Sequence, residues 1–297
     1  MGRAFAPSYL AGDPAANAFF AATFFDADAR IARVQAAARR RPSAELLQIL
    51  ADQQAALPQS SARQAAWDML ASGKAAAVVT GQQVGLFLGP LYSFYKAASA
   101  IAVARTLHAE SGIPCVPVFW LQTENHDFDE IRTATIADSE NEPLRLELDD
   151  DPSRHARISV AYRSLPSQVN DLLDALAHAF ASHRAAEEVV CLLRNCYRPG
   201  VGVAEAFACL LATLFADEGL VVFNPQNARM AALATPLYRR SIDESAGIEA
   251  ALHEREAMLR AAGFDVQVPI RDQNALMFFH RDDATGPRFR LQQVEGS

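Results

Sequence analysis

Two short segments hold the side chains best suited to chemistry. In "TENHDFDEI", Thr123 to Ile131, five titratable groups (Glu124, His126, Asp127, Asp129 and Glu130) lie within seven consecutive positions. A carboxylate next to an imidazole holds its proton or orients it, so His126 beside Asp127 reads as either held protonated or oriented as a general base. An extended backbone would set Glu124, His126 and Phe128 on one side and Asp127 and Asp129 on the other. Glu130 reads as a helix or turn residue. The same nitrogen and oxygen donors would suit a divalent ion, which keeps a metal-dependent hydrolase or phosphotransferase open as an alternative. No H-x-x-x-H or three-histidine pattern points to zinc.

The second segment is "TGQQVGLFLGP", Thr80 to Pro90. Here Gly81 is expected to make a sharp turn, Gly85 and Gly89 to allow close approach of a ligand or helix, and Pro90 to open a helix. The amides of that helix start would suit a phosphate or carboxylate. Thr80, Gln82 and Gln83 add hydroxyl and amide partners for a polar small molecule, and Lys96 follows on the helix. Neither a Walker loop nor a Gly-x-Gly-x-x-Gly fingerprint is present.

Both segments follow apolar runs, "KAAAVVTG" and "IPCVPVFWLQ", separated by the helical pattern "GPLYSFYKAASAIAVARTLHAESG". Strand, turn, helix and strand in this order predict a right-handed βαβ unit of a parallel sheet. Ligands bind beyond the carboxyl ends of such strands, so Gln82 and His126 are expected to face one pocket. A third strand is read in "LVVFNP", which places Asn224 at the same edge; an Asx turn before Pro225 explains that residue equally well. Helices are predicted before Gly73, with Ser43 as an N-cap, from Ser167 to Glu218, and from Ala234 to Phe264. Strands are predicted in "RTATIADSENEPLRLELDDD", "HARISVAYRSL", "DVQVPI" and "ALMFFHRD", with Arg271 to Asn274 joining the last two and Asp149 to Asp151 making a turn.

With 297 residues, 51% hydrophobic and 21% charged, the chain can bury a large core. A formal charge of −8 argues against a nucleic-acid partner, and the one basic cluster, Arg39 to Arg41, reads as a solvated helix end. No run is long and apolar enough for a membrane span, and the N-terminus lacks a secretory pattern, so a cytoplasmic location is expected. Cys115, Cys191, Cys196 and Cys209 form no C-x-x-C pair and read as reduced thiols.

The stretches "VVTGQQVGLFLGPLYSFYKAASAIAVA" and "VPVFWLQTENHDFDEI" closely resemble the two signature stretches of the BshC family, the cysteine ligases of bacillithiol biosynthesis. Weaker resemblance extends through "GLVVFNPQNARMAALATPLYRRSIDE" and "AAGFDVQVPIRDQNALMFFHRDDATGPRFRL". One departure is Asn125, which stands where the family has Asp. The resemblance implies an α/β fold: a Rossmann-like parallel sheet core with helical connecting insertions. Its first part would span residues 1–132, connecting strands and helices 133–218, and the continuing core 219–297.

Family members are longer and form a C-terminal coiled coil through which full-length relatives would dimerise, so the chain is expected to be an N-terminal portion. The implied reaction joins the carboxyl group of L-cysteine to the amine of glucosaminyl-malate, with ATP the natural candidate for activating the carboxyl. In that reaction Thr80, Gly81, Gln82 and Gln83, flanked by Gly85, Gly89 and Lys96, would bind substrate or nucleotide. His126 and Asp127 would orient or deprotonate the amine, and Glu124 and Asp129 would meet the amine or sugar hydroxyls. A non-catalytic ligand-binding fragment is a further alternative.

Overall fold

The computed structural model describes residues 2–149, 156–270, 274–281 and 285–292. Helices α1 (Phe5–Leu10), α2 (Pro14–Asn17), α3 (Ala27–Ala38), α4 (Ala44–Ala55) and α5 (Ser61–Ala71) precede strand β1 (Ala76–Gln83). Helix α6 (Tyr92–Ser111) connects β1 to β2 (Cys115–Gln122), and a short helix α7 (Phe128–Ile131) follows. Next come β3 (Thr133–Ala137), β4 (Pro143–Glu147), α8 (Val169–Ala179), α9 (Ala186–Cys196), α10 (Val203–Leu214) and β5 (Val221–Phe223). Then follow α11 (Ala228–Asp243), α12 (Ser245–Ala261), β6 (Asn274–His280) and β7 (Arg288–Gln292).

The sheet whose strand ends carry the candidate residues has the order β1-β2-β5, all parallel. Its middle strand is apolar on both faces because both are covered. Phe119 and Leu121 point into a core with Ala97 and Ile101 of α6 and Phe207 and Leu211 of α10. Val116 and Val118 pack with Ala66 and Leu70 of α5 and with Val221 and Phe223 of β5. Full burial of each large apolar side chain stabilises by about 1.5–3 kcal/mol. The free edge of β5 is closed by side chains of α4. Gln54 donates to Val222 O (2.7 Å) and accepts from Val222 N (3.3 Å), while Gln53 does the same at Asn224 (2.8 and 3.0 Å). Two amide side chains thus substitute for a neighbouring strand and fix the β5 terminus.

The helix ends follow the sequence signals. Ser43 Oγ accepts from Leu46 N at 3.2 Å, and Gly73, Gly112 and Gly219 take left-handed backbone with φ of 67–69° just past helices or 3₁₀ turns. Strands β3 and β4 form the antiparallel hairpin expected of "RTATIADSENEPLRLELDDD".

Several expectations are corrected. β1 does not turn at Gly81 but continues through Gln83. Gly81 is opposite Trp120, where a Cβ would meet the Trp120 carbonyl oxygen at 2.7 Å, so glycine is needed for strand approach. Pro90 lies before the helix, which starts at Tyr92. "HARISVAYRSL" holds a 3₁₀ turn at Val160–Tyr162 in place of a strand. "DVQVPI" is not a strand: Val268 is exposed, and Phe264 instead bridges to Arg3. Cys196 and Cys209 form a disulfide where four thiols were expected, because the 197–202 turn folds α10 back onto α9. Cys115 and Cys191 are free. Asp150, Asp151 and most of the Arg271 to Asn274 connection lie outside the described residues.

The chain divides into two compact units, one from 1–33, 234–280 and 289–297, the other from 34–233 and 281–288. In the first, Phe5 packs edge-on against Phe264 and Phe19, and the Arg255 guanidinium lies 4.7 Å from the Phe19 ring centroid. The second contains the parallel sheet and every candidate site residue.

Candidate functional site

Period two along β1 sends Gln82 and Gln83 to opposite faces, and this alternation sorts the candidate residues into two groups. Gln82 turns to α6. Its Nε2 donates to Tyr92 Oη (3.2 Å), and its Oε1 accepts from Lys96 Nζ (2.8 Å), which also donates to Gly81 O (3.1 Å). Lys96 thus ties the end of β1 to α6. Gln83 goes the other way: its Oε1 accepts from Asn125 Nδ2 at 2.9 Å. Gln83, rather than Gln82, reaches the histidine segment.

Beyond Gln122 the chain leaves the sheet and is held by the segment before Val160–Tyr162. Ser159 Oγ donates to Thr123 O (2.5 Å), Ala161 N donates to the same oxygen (3.1 Å), and Val160 N donates to Asn125 O (2.8 Å). Thr123 Oγ1 donates to Asn224 Oδ1 at 2.7 Å, so the ends of β2 and β5 are joined. Asn224 Oδ1 also accepts from Gln226 N (3.1 Å): the residue makes the Asx turn and serves the strand-end network together. Asn125 Oδ1 accepts from His126 N (2.7 Å) and Asp127 N (3.3 Å), folding the loop so that its amide reaches Gln83. A carboxylate at this position would accept the same two amides but could not donate to Gln83 Oε1.

The extended spacing expected of the acidic cluster is not formed. Asp127 is the N-cap of α7, accepting from Glu130 N at 3.3 Å, and its side chain lies on the surface. Asp129 pairs with Arg132 at 3.1 Å, and Arg132 in turn reaches Glu147 at 2.6 Å on the hairpin. His126 is half-buried, with Nδ1 enclosed and without a hydrogen-bond partner among the described residues; Gln83 Nε2 is in the same condition. Burial first, then the charges of Arg157 and Arg288 and the weaker effect of Arg163, lower the imidazole pKa below its ordinary value, against the pull of Asp127. Of the two readings of His126, held protonated or oriented as a general base, the lowered pKa favours the second. Glu124 acts on Arg288, favouring its charge.

Sequence reading missed Gln53, Gln54, Arg157, Arg163 and Arg288, because nothing local marks them. Capping is testable at Asp127. Asp127→Asn keeps the cap and should melt within about 1 °C of wild type, whereas Asp127→Ala should lose about 1 kcal/mol, measured by thermal unfolding.

The glycine segment closes on itself. A Cβ at Gly85 would fall on the Gly89 carbonyl oxygen, and one at Gly89 would lie 3.1 Å from Leu86 O. Phe87 and Leu88 take positive φ (53° and 61°), and the buried Tyr197 hydroxyl spans the loop, donating to Gly85 O and accepting from Leu88 N, both at 3.3 Å. At the start of α6, where amides were expected to cradle an anion, Ser93 N donates to Pro90 O (2.9 Å) and Phe94 N to Leu91 O (3.1 Å) within the turn. A cavity of about 640 Å³ beside this loop is lined by Gly89, Pro90, Tyr92 and mainly apolar side chains of α8, α9 and α10. Thr80, Gln82, Gln83 and His126 do not line it. Among the described residues, no three His, Cys, Asp or Glu side chains converge on a metal position, and no helix is long and apolar enough to cross a membrane.

A parallel sheet with helices on both faces defines a Rossmann-like domain, and the candidate residues lie at the carboxyl ends of its strands, where ligands bind in that class. The chain belongs to the BshC family: residues 2–297 match the family described as "Bacillithiol biosynthesis BshC, N-terminal Rossmann-like domain". It is 36% identical over 259 residues to a protein of Salinibacter ruber named "Putative cysteine ligase BshC", covering 86% of this chain and 46% of that protein. Proteins of the same name from Koribacter versatilis (36% over 246 residues; 81% of this chain, 43% of the relative) and Bacillus velezensis (29% over 240 residues; 80% and 43%) are also similar. The chain spans less than half the length of these relatives.

Proposed function

We propose that this chain supplies the amine-activating half of a cysteine ligase, which joins the carboxyl group of L-cysteine to the amine of glucosaminyl-malate to give bacillithiol. The observation that carries the reading is His126: an imidazole with an enclosed nitrogen that has no hydrogen-bond partner among the described residues, at the carboxyl end of the sheet in a BshC-family chain. Its pKa is lowered through burial and neighbouring guanidinium groups. A neutral imidazole is the form that accepts a proton. The substrate nitrogen attacks the activated cysteine carbonyl carbon, the new carbon–nitrogen bond forms as the bond to the leaving group breaks, and the nitrogen's proton passes to His126. Asn125 sets the histidine loop against Gln83, and Thr123 with Asn224 holds the neighbouring strand ends.

The test is mass spectrometry of the chain with cysteine and glucosaminyl-malate, with and without ATP. It is run alone and mixed with the C-terminal remainder of the Salinibacter ruber relative. Bacillithiol formed in at least one mixture supports the reading, and its absence from all of them overturns it.

A further inference from the structure

The apolar cavity beside the glycine loop has no part in the chemistry at the strand ends. It is walled by buried leucines of three helices, Leu176 of α8, Leu193 of α9 and Leu210 of α10. Large apolar side chains around it are open to solvent: Leu91 is 69% exposed, Leu214 43% and Val189 39%. Apolar side chains gathered in this way mark a surface that another molecule covers.

One wall differs from the others. Thr133, Ala134, Thr135 and Ile136 all line the cavity, although successive side chains of a strand point to opposite faces. Four in a row therefore turn the edge of β3 toward the cavity. Among the described residues that edge is open, since β3 pairs with β4 alone. Arg132 O accepts from Leu148 N (3.0 Å) and Asp138 N donates to Glu142 O (2.9 Å), so the even positions between them turn their backbone groups to β4. Thr133, Thr135 and Ala137 turn theirs outward. A Cβ on Gly89 would lie 3.8 Å from Thr133 O, so the glycine loop sits against that end; Thr135 and Ala137 are exposed. Outward N–H and C=O groups form a template for a further strand. In such an addition main-chain hydrogen bonds supply affinity and adjoining pockets take alternate side chains.

We propose that this groove receives an extended apolar segment from the C-terminal portion of the longer relatives, added as a strand at the edge of β3 with alternate side chains in the cavity. The chain covers less than half of those relatives and matches their N-terminal domain, so in them a longer portion lies beyond the matched part. The edge supplies its backbone with partners, and the leucine walls supply its side chains with burial. Neither feature depends on the ligase reading.

The experiment is residue-resolved amide hydrogen exchange on the 297-residue chain in three forms. These are the chain alone, mixed with the C-terminal remainder of the Salinibacter ruber relative, and joined to that remainder in one polypeptide. The Thr135 and Ala137 amides should exchange about tenfold more slowly or better when the remainder is present, the size of one net main-chain hydrogen bond. The Ala134 and Ile136 amides, already turned to β4, should change little. In calorimetry of the mixture, Thr135→Pro should weaken binding about tenfold. The proline removes an outward N–H and no bond to β4, so the hairpin is expected to fold, which circular dichroism verifies. Leu214→Asp, at an exposed position, places a charge beside the cavity and should weaken binding at least as much. Slow exchange at Thr135 in the chain alone that grows with its concentration would assign the edge to a second copy and overturn the choice of partner. Unchanged exchange at Thr135 in the joined polypeptide, or binding that neither folded variant weakens, overturns the proposal.

Discussion

His126→Gln is expected to lower the rate of the proposed amide formation by roughly 10²–10⁴-fold, the usual contribution of a positioned general base. Glutamine keeps the size and hydrogen-bonding capacity of imidazole but cannot take a proton in the accessible pH range, so the loss should fall on kcat. The same substitution has a signature in stability. The folded chain holds the histidine pKa below its unfolded value, because the imidazole is half-buried and feels the charges of Arg157, Arg288 and Arg163 against that of Asp127. Below the ordinary histidine pKa of 6.5 the unfolded chain therefore binds more protons than the folded one. The contribution is fully present above that value and is lost as pH falls through the lowered folded pKa. Wild type should thus lose melting temperature between pH 7.5 and pH 5 faster than His126→Gln. Parallel pH profiles of the two proteins would contradict the assignment of a neutral histidine, and an unchanged kcat would remove His126 from the chemistry.

How much of this arrangement can be read from the sequence depends on the range of the interactions. The βαβ unit is legible because β2 is apolar on both faces, which marks a covered parallel strand, and because Gly112 closes α6 with the left-handed turn that glycine favours. The histidine loop is legible as a place but not as a geometry. Its charges suggested an alternating cluster, yet Asp127 is drawn to cap α7 and Asp129 to Arg132, so local hydrogen bonding and a nearby cation outcompete the extended form. Gly81 misleads for a similar reason: its need is set by the Trp120 carbonyl across the ladder, which no feature of its own segment reveals. Arg157 and Arg288 are paired across 131 positions and Gln53 and Asn224 across 171, contacts that only the completed fold creates. In "DVQVPI" alternation is present, but Val268 stays exposed; the isolated bridge to Arg3 falls on the preceding Phe264, and Asp265 N donates to Arg3 O (3.0 Å).

Gly85→Ala is expected to cost about 1–3 kcal/mol, the range for forcing extra atoms into a packed region, and to lower the melting temperature by several degrees. The new methyl group would fall on the carbonyl oxygen of Gly89, a backbone atom that cannot swing aside as a side chain would. Relief requires opening the loop between the two glycines. That loop is held by the Tyr197 hydroxyl, which bonds Gly85 O and Leu88 N and which burial keeps protonated well above the ordinary phenol range. Opening it would strand those polar groups in a buried place, at about 1–3 kcal/mol for each group left unsatisfied. Tyr197→Phe removes the hydroxyl without adding atoms, so it isolates that second contribution. If the loop acts as one unit, the double variant should be less destabilised than the sum of the single variants, because an opened loop no longer uses the hydroxyl. Strict additivity in thermal or urea unfolding would show that the loop relaxes around the methyl group while Tyr197 stays in place.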